Sequence, residues 1–168
     1  MSDPTADPAI DPAHNPAVAA AYASGLQLSV RQHGRARSLA EAAEQRGVQP
    51  RQIVKSMVVR HGADHTIVLV PGDRVIAWPK LRAVLGVTRS TMPPADEAKE
   101  ITGFARGTIT PFGTRTPLPV VADELVPLGE VSVGGGAHGV AIHLAGADLL
   151  EHFGARVADV TDPDPELG

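Results

Sequence analysis

From residue 15 onward the apolar positions alternate between a helical and a two-residue period, and most of the switches fall at a glycine or a proline. Asn15 is a good N-cap, Pro16 suits the first helical position, and the alanine-rich run behind them stops at Gly25, which predicts a short helix. Leu26, Leu28 and Val30 then alternate with Gln27, Ser29 and Arg31 as in a half-buried strand. Ser38 and Glu41 have capping-box spacing and Gly47 supplies a stop, so a second helix lies between them. Residues 53–60, 66–70 and 74–77 read as a three-stranded meander joined at Gly62 and at Pro71-Gly72-Asp73. Residues 79–85 predict a helix ended by Gly86, 87–91 a short strand, and 94–101 a helix that stops before Gly103. The stretch 103–113 has little periodicity and reads as a loop; strands follow at 118–122, 130–133 and 140–144, with a final helix at 147–153.

Strands interleaved with short helices, several joined by hairpin-length turns, predict a single α/β domain of the α+β kind. It has a mixed sheet with short helices packed against it, unlike a doubly wound parallel fold. Asp-Pro repeats mark residues 1–14 and 161–168 as expected disordered tails, leaving 15–160 as the domain.

Composition narrows the chemistry. The 168 residues include no cysteine, which excludes disulfides, thiolate metal sites and a cysteine nucleophile. The first residues lack the basic start and apolar run of a secretory signal, and no run approaches the ~18 apolar residues of a membrane span, so the expected compartment is the cytoplasm. A net charge of -4 and only 3% aromatic residues argue against a stand-alone nucleic-acid binder, DNA-binding included, so any RNA contact is local or weak.

Lys55 is the most informative residue. On a two-residue period it shares a face with Ile53, Met57 and Val59, while Val54, Ser56 and Val58 take the other. A lysine between two apolar faces either lines a pocket or reaches out along its methylene stem. Gly134-Gly135-Gly136-Ala137-His138-Gly139 matches a dinucleotide fingerprint, but residues 140–144 alternate like a strand where that motif requires a helix. A glycine hairpin remains, either structural or approached closely by a ligand. No metal is expected: His61 and His65 flank an apparent hairpin turn, and His138 and His143 have opposite strand parity. His33 and His152 read as surface histidines, and Asp123-Glu124 as a turn or cap first and an acid-base pair second.

Together, Ile53-Val54-Lys55-Ser56-Met57-Val58-Val59, the block Thr102-Gly103-Phe104-Ala105-Arg106-Gly107-Thr108-Ile109-Thr110-Pro111-Phe112-Gly113, and the 134–139 turn resemble the YbaK/ProX family of aminoacyl-tRNA editing domains. The resemblance runs from about residue 26 to 160 and implies a strongly curved mixed sheet. It also implies hydrolysis, in trans and without a cofactor, of the ester that joins a wrong amino acid to tRNA; a related domain is inserted in prolyl-tRNA synthetases. It implies Lys55 as the catalytic cation, with Ser56, Gly103, Gly107, Thr110, Pro111, Gly113, Gly134, Gly135, Gly136 and His138 binding substrate. The implied partners are the acceptor end of mischarged tRNA and an aminoacyl-tRNA synthetase, with no membrane or DNA. Backbone N–H groups of a glycine loop would hold the oxyanion, and Lys55 would act electrostatically. In the cysteine-clearing members a serine stands where this chain has Gly134, an acid at Ala141 and a threonine at Ser56, departures that bear on amino-acid specificity. The alternative is a non-catalytic module of the same fold that holds an aminoacyl-tRNA end, a nucleotide or a synthetase.

Overall fold

The computed structural model describes residues 7–167. The side chain of Asn15 accepts from the N–H groups of Ala17 and Val18, and helix α1 spans Pro16–Ala23. Strand β1 (Leu28–Gln32) follows. Ser38 Oγ accepts from Glu41 N–H at 3.1 Å and opens α2 (Leu39–Arg46), which ends at Gly47 with φ 69°. The capping box closes on one side only, because the Glu41 carboxylate accepts from Arg37 N–H instead.

β2 (Ile53–His61) and β3 (Asp64–Pro71) form a long antiparallel hairpin. After it come β4 (Arg74–Ile76), α3 (Trp78–Leu85) and α4 (Ala95–Thr102). The chain then returns through β5 (Val120–Asp123), β6 (Glu130–Gly134), β7 (Val140–Ala145), α5 (Gly146–His152), β8 (Arg156–Ala158) and β9 (Thr161–Pro163). Seven strands form one sheet in the order β1-β7-β6-β2-β3-β5-β8, and β4 pairs with β9 in a separate two-stranded sheet. Pairs β2–β6, β3–β5 and β5–β8 are parallel and the rest antiparallel, so the sheet is mixed as the sequence implied.

Three expectations change. β4 does not extend the meander; it turns away and takes β9 as its partner. Residues 87–91 are no strand: Val87 N–H closes the end of α3 on Arg82 O, and only Thr91 makes a β-bridge, with Arg60. The expected tails are drawn into the body: Asp7 caps a 3-10 turn at Pro8–Ile10, and fully buried Thr161 begins β9. Residues 1–6 and 168, also placed in those tails, lie outside the described residues.

The sheet is covered on both faces, which is why β2 and β3 lack simple alternation. Val54 and Val58 pack with Ile67, Leu69, Phe104 and Phe112 on one face. Val59, Val68 and Val70 pack with Leu81 of α3 on the other. Each such fully buried aliphatic side chain contributes roughly 1.5–3 kcal/mol. Lys55 stands opposite Val70 and Ser56 opposite Leu69, so the two neighbours leave β2 on different faces. No helix among the described residues is long and apolar enough to cross a membrane.

Candidate functional site

The parallel ladder between β2 and β6 holds for two register pairs only, Ile53↔Ser132 and Val54↔Val133. β6 ends at Gly134 while β2 continues to His61. This edge of β2 meets another backbone at Arg60, which exchanges hydrogen bonds of 2.8 and 3.0 Å with Thr91. Counting back from Arg60, strand alternation turns the N–H and C=O groups of Val58 and Ser56 into the gap.

A cavity of about 380 Å³ fills that gap. Residues 53–58 of β2 form one wall, Arg106, Gly107 and Ile109 another, and Gly134 and Arg46 one end; Met92, Pro93 and Ala98 close the other end. The wall is mostly apolar with three cations, a surface suited to a small apolar group joined to an anion.

Lys55 is half-buried in this wall, and its Nζ donates to the carbonyl oxygen of Arg74 at 2.7 Å. Burial holds its pKa below the ordinary lysine value, and the charges of Asp164 and Asp73 oppose that in part. Ser56 lies beside it with a buried Oγ that has no partner among the described residues.

Gly107 adopts φ 90°, which favours glycine, and lines the cavity. Gly134 lies so close to the 103–113 loop that a Cβ there would stand 2.6 Å from the Ile109 carbonyl oxygen. The loop and the glycine turn are also tied by a hydrogen bond from Gly136 N–H to Thr108 O at 3.0 Å. Gly135 N–H is likewise engaged, on Val140 O at 3.0 Å. The glycine turn, which the sequence left open as a structural hairpin or a ligand-facing backbone, therefore uses two of its N–H groups for its own structure. The N–H groups of Gly107 and Ile109, in the cavity wall, have no partner among the described residues.

Of the residues the sequence pointed to, Lys55, Ser56, Gly107 and Gly134 share the cavity. The others stand behind it or outside. Gly103 ends α4 with φ 85°, Thr110 Oγ1 accepts from Phe112 N–H, and Pro111 is buried. A Cβ on Gly113 would collide with the Pro16 carbonyl, and one on Gly136 with Ala17 and Asn15. Gly135 packs against Val140. His138 is exposed, its ring 3.9 Å from where a Cβ on Gly107 would sit. Asp123 is a buried cap that accepts from Leu125 and Val160 N–H groups.

Arg46 was missed. It lies three residues after buried Ala43 on α2, a helical spacing that put both on one face. Arg106 stood in the 102–113 block with no role assigned to it.

The profile of the aminoacyl-tRNA editing domain family matches residues 33–152. Proline–tRNA ligase of Kosmotoga olearia is 35% identical over 138 residues, covering 79% of this chain and 24% of the ligase. The chain thus spans about a quarter of that ligase's length. A candidate Cys-tRNA(Pro)/Cys-tRNA(Cys) deacylase, EbsC of Enterococcus faecalis, is 25% identical over 126 residues, covering 74% of this chain and 77% of that protein. Among solved structures, a candidate trans-editing enzyme for prolyl tRNA synthetase superposes with a TM-score of 0.83 at 30% identity, covering 94% of this chain and 99% of the other.

Proposed function

The chain belongs to the aminoacyl-tRNA editing domain family, and on that premise we propose that it is a trans-acting deacylase that hydrolyses the ester of mischarged tRNA. The observation that supports this best is the open edge of β2, where a lysine, a hydroxyl and unpaired backbone groups meet in one mostly apolar cavity. In this reading the domain spans residues 15–160, with β9 added to it.

An aminoacyl ester is already activated, so positioning and charge stabilisation suffice to cleave it. Water, or a nucleophile on the substrate itself, adds to the carbonyl carbon. The bond to the ribose oxygen then breaks, and that oxygen takes up a proton. Lys55 gives electrostatic help to the developing oxyanion, and the N–H groups of Gly107 and Ile109 are the donors available to share it. The side chain of the amino acid lies against Val54, Val58, Met92 and Ala98, and Ser56 Oγ supplies a hydroxyl at that wall.

The partner is the acceptor end of charged tRNA, with a synthetase supplying the basic surface that a chain of net charge -4 lacks. Release of amino acid from tRNAs mischarged with alanine, serine, cysteine or threonine tests the reading. Turnover above the uncatalysed rate on at least one of them is expected. Tight binding that protects every ester would instead make the protein a holding module.

A further inference from the structure

Arg46 closes α2 and forms the end of the cavity beside Ile53 and Gly134. Its Nη1 donates to Ser132 Oγ at 3.2 Å, and Ser132 is fully buried, so the guanidinium is anchored to the sheet. Its Nε is buried with no partner among the described residues. No carboxylate lies within ion-pair distance of it among the described residues; Glu130 pairs with Arg31 and His143.

The surroundings supply no counter-charge. His143 is nearly fully buried, directs Nδ1 to Glu130 at 3.2 Å, and leaves Nε2 unpartnered. His33, expected at the surface, also has a buried, unpartnered Nε2. Burial and the charge of Arg46 both hold these imidazoles below the ordinary histidine pKa, so near neutral pH they add neither sign of charge.

A half-buried guanidinium that lacks an anion is costly to keep, and it leaves most of a five-donor fork free. Carboxylate and phosphate are the anions whose geometry that fork matches, and of the two it is phosphate that an aminoacyl-tRNA end carries. In aminoacyl-tRNA the reactive ester and the nearest phosphodiester belong to the same terminal nucleotide. A cavity that holds the carbonyl near Lys55 therefore brings an anion within a ribose's width, and Arg46 shares that cavity with Lys55. Arg106 also lines it but is exposed, so solvent and salt screen its charge more strongly.

We propose that Arg46 binds the phosphodiester of the terminal nucleotide and fixes the ester at Lys55 through that grip. The proposal rests on the editing reading for the identity of the substrate, while the anion site itself can be tested apart from it. The probes are a 3′-aminoacyl adenosine without phosphate, the 3′-aminoacyl cytidylyl-adenosine that carries one, and an uncharged trinucleotide ending in CCA.

For Arg46→Gln the KM should rise at least tenfold more for the phosphate-bearing ester than for the phosphate-free one, with kcat nearly constant. The log–log salt dependence of trinucleotide binding should flatten by about 0.7, the contribution of one single-strand phosphate contact. Arg46→Lys should fall between, since charge is kept and the fork is lost. Equal losses on both esters, or trinucleotide binding unchanged in a variant whose Tm is preserved, would overturn the phosphate role. If the wild type cleaves no ester yet Arg46→Gln weakens the trinucleotide tenfold, the editing reading falls and the anion site stands.

Discussion

Lys55 Nζ donates to the carbonyl oxygen of Arg74 at 2.7 Å, and the Arg74 side chain is itself held from the far end of the chain. Arg74 Nε donates to Thr161 Oγ1 at 2.6 Å and its Nη2 to Thr161 O at 3.2 Å, while β4 pairs with β9. The position of the cavity's lysine is thus coupled to a strand that the sequence had assigned to a tail. Thr161→Val keeps the shape and removes the hydroxyl. It should cost about 1.5–3 kcal/mol, the range for a hydrogen bond to a charged group. It should also lower kcat several-fold, and thermal unfolding with steady-state deacylation reads both. The full stability cost with normal kcat would separate the Arg74–Thr161 contact from Lys55.

Ser56 carries a buried hydroxyl without a partner among the described residues. An unsatisfied buried hydroxyl costs roughly 1–3 kcal/mol, so Ser56→Ala should leave Tm unchanged or raise it. Deacylation efficiency should nonetheless fall about tenfold, the scale of one hydrogen bond of ~1.4 kcal/mol to the substrate. A stabilised variant with undiminished turnover would make Ser56 a packing residue.

Gly134 approaches the carbonyl of Ile109 so closely that Gly134→Ala must push the 103–113 loop away from the end of β6. The overpacking should cost about 1–3 kcal/mol and most of the activity. Gly129 is the control, since it is exposed, with nothing near its Cβ position and φ outside the left-handed range. Gly129→Ala should be neutral or stabilising by about 0.4–1 kcal/mol. Equal effects at the two sites, read by urea unfolding, would contradict this packing.

His143 and His33 have folded pKa values below the ordinary ~6.5, chiefly through burial. Between the folded and unfolded values the unfolded chain binds more protons, so stability is complete above about pH 6.5 and declines as pH falls below it. Glu130, Arg31 and Arg46 face His143 and do not reverse that sign. Glu97, lowered first by its bond to His65 and also by Arg60, loses its contribution only under more acidic conditions, below about pH 4.3. Tm should therefore fall between pH 7.5 and 5.5, and His143→Gln should flatten that slope. A rise of Tm over the same interval would contradict the burial of the two rings.

Signals that act within a few residues were legible in the sequence. Asn15, Ser38, Gly47 and Gly86 mark helix ends where the structure has them, because caps and left-handed stops are local chemistry. The two-faced apolar pattern of β2 fits its central place in the sheet. Hidden were the elements that depend on distant partners: three-residue strands such as β8 and β9 carry no readable period. The cavity itself arises because a parallel pairing between residues some 80 positions apart stops after Val54↔Val133. Arg46 is anchored at the site by its bond to Ser132 of β6, 86 positions away, and no local pattern encodes that contact.

Single-turnover deacylation of a mischarged tRNA by wild type and Lys55→Ala, with tRNA binding and Tm measured in parallel, tests most directly whether the ester is cut at the open edge of β2. Loss of one oxyanion-type donor is worth about 100-fold or more in rate, and that loss should appear with the fold intact and tRNA binding weakened far less. Cleavage by Lys55→Ala at the wild-type rate would contradict the account.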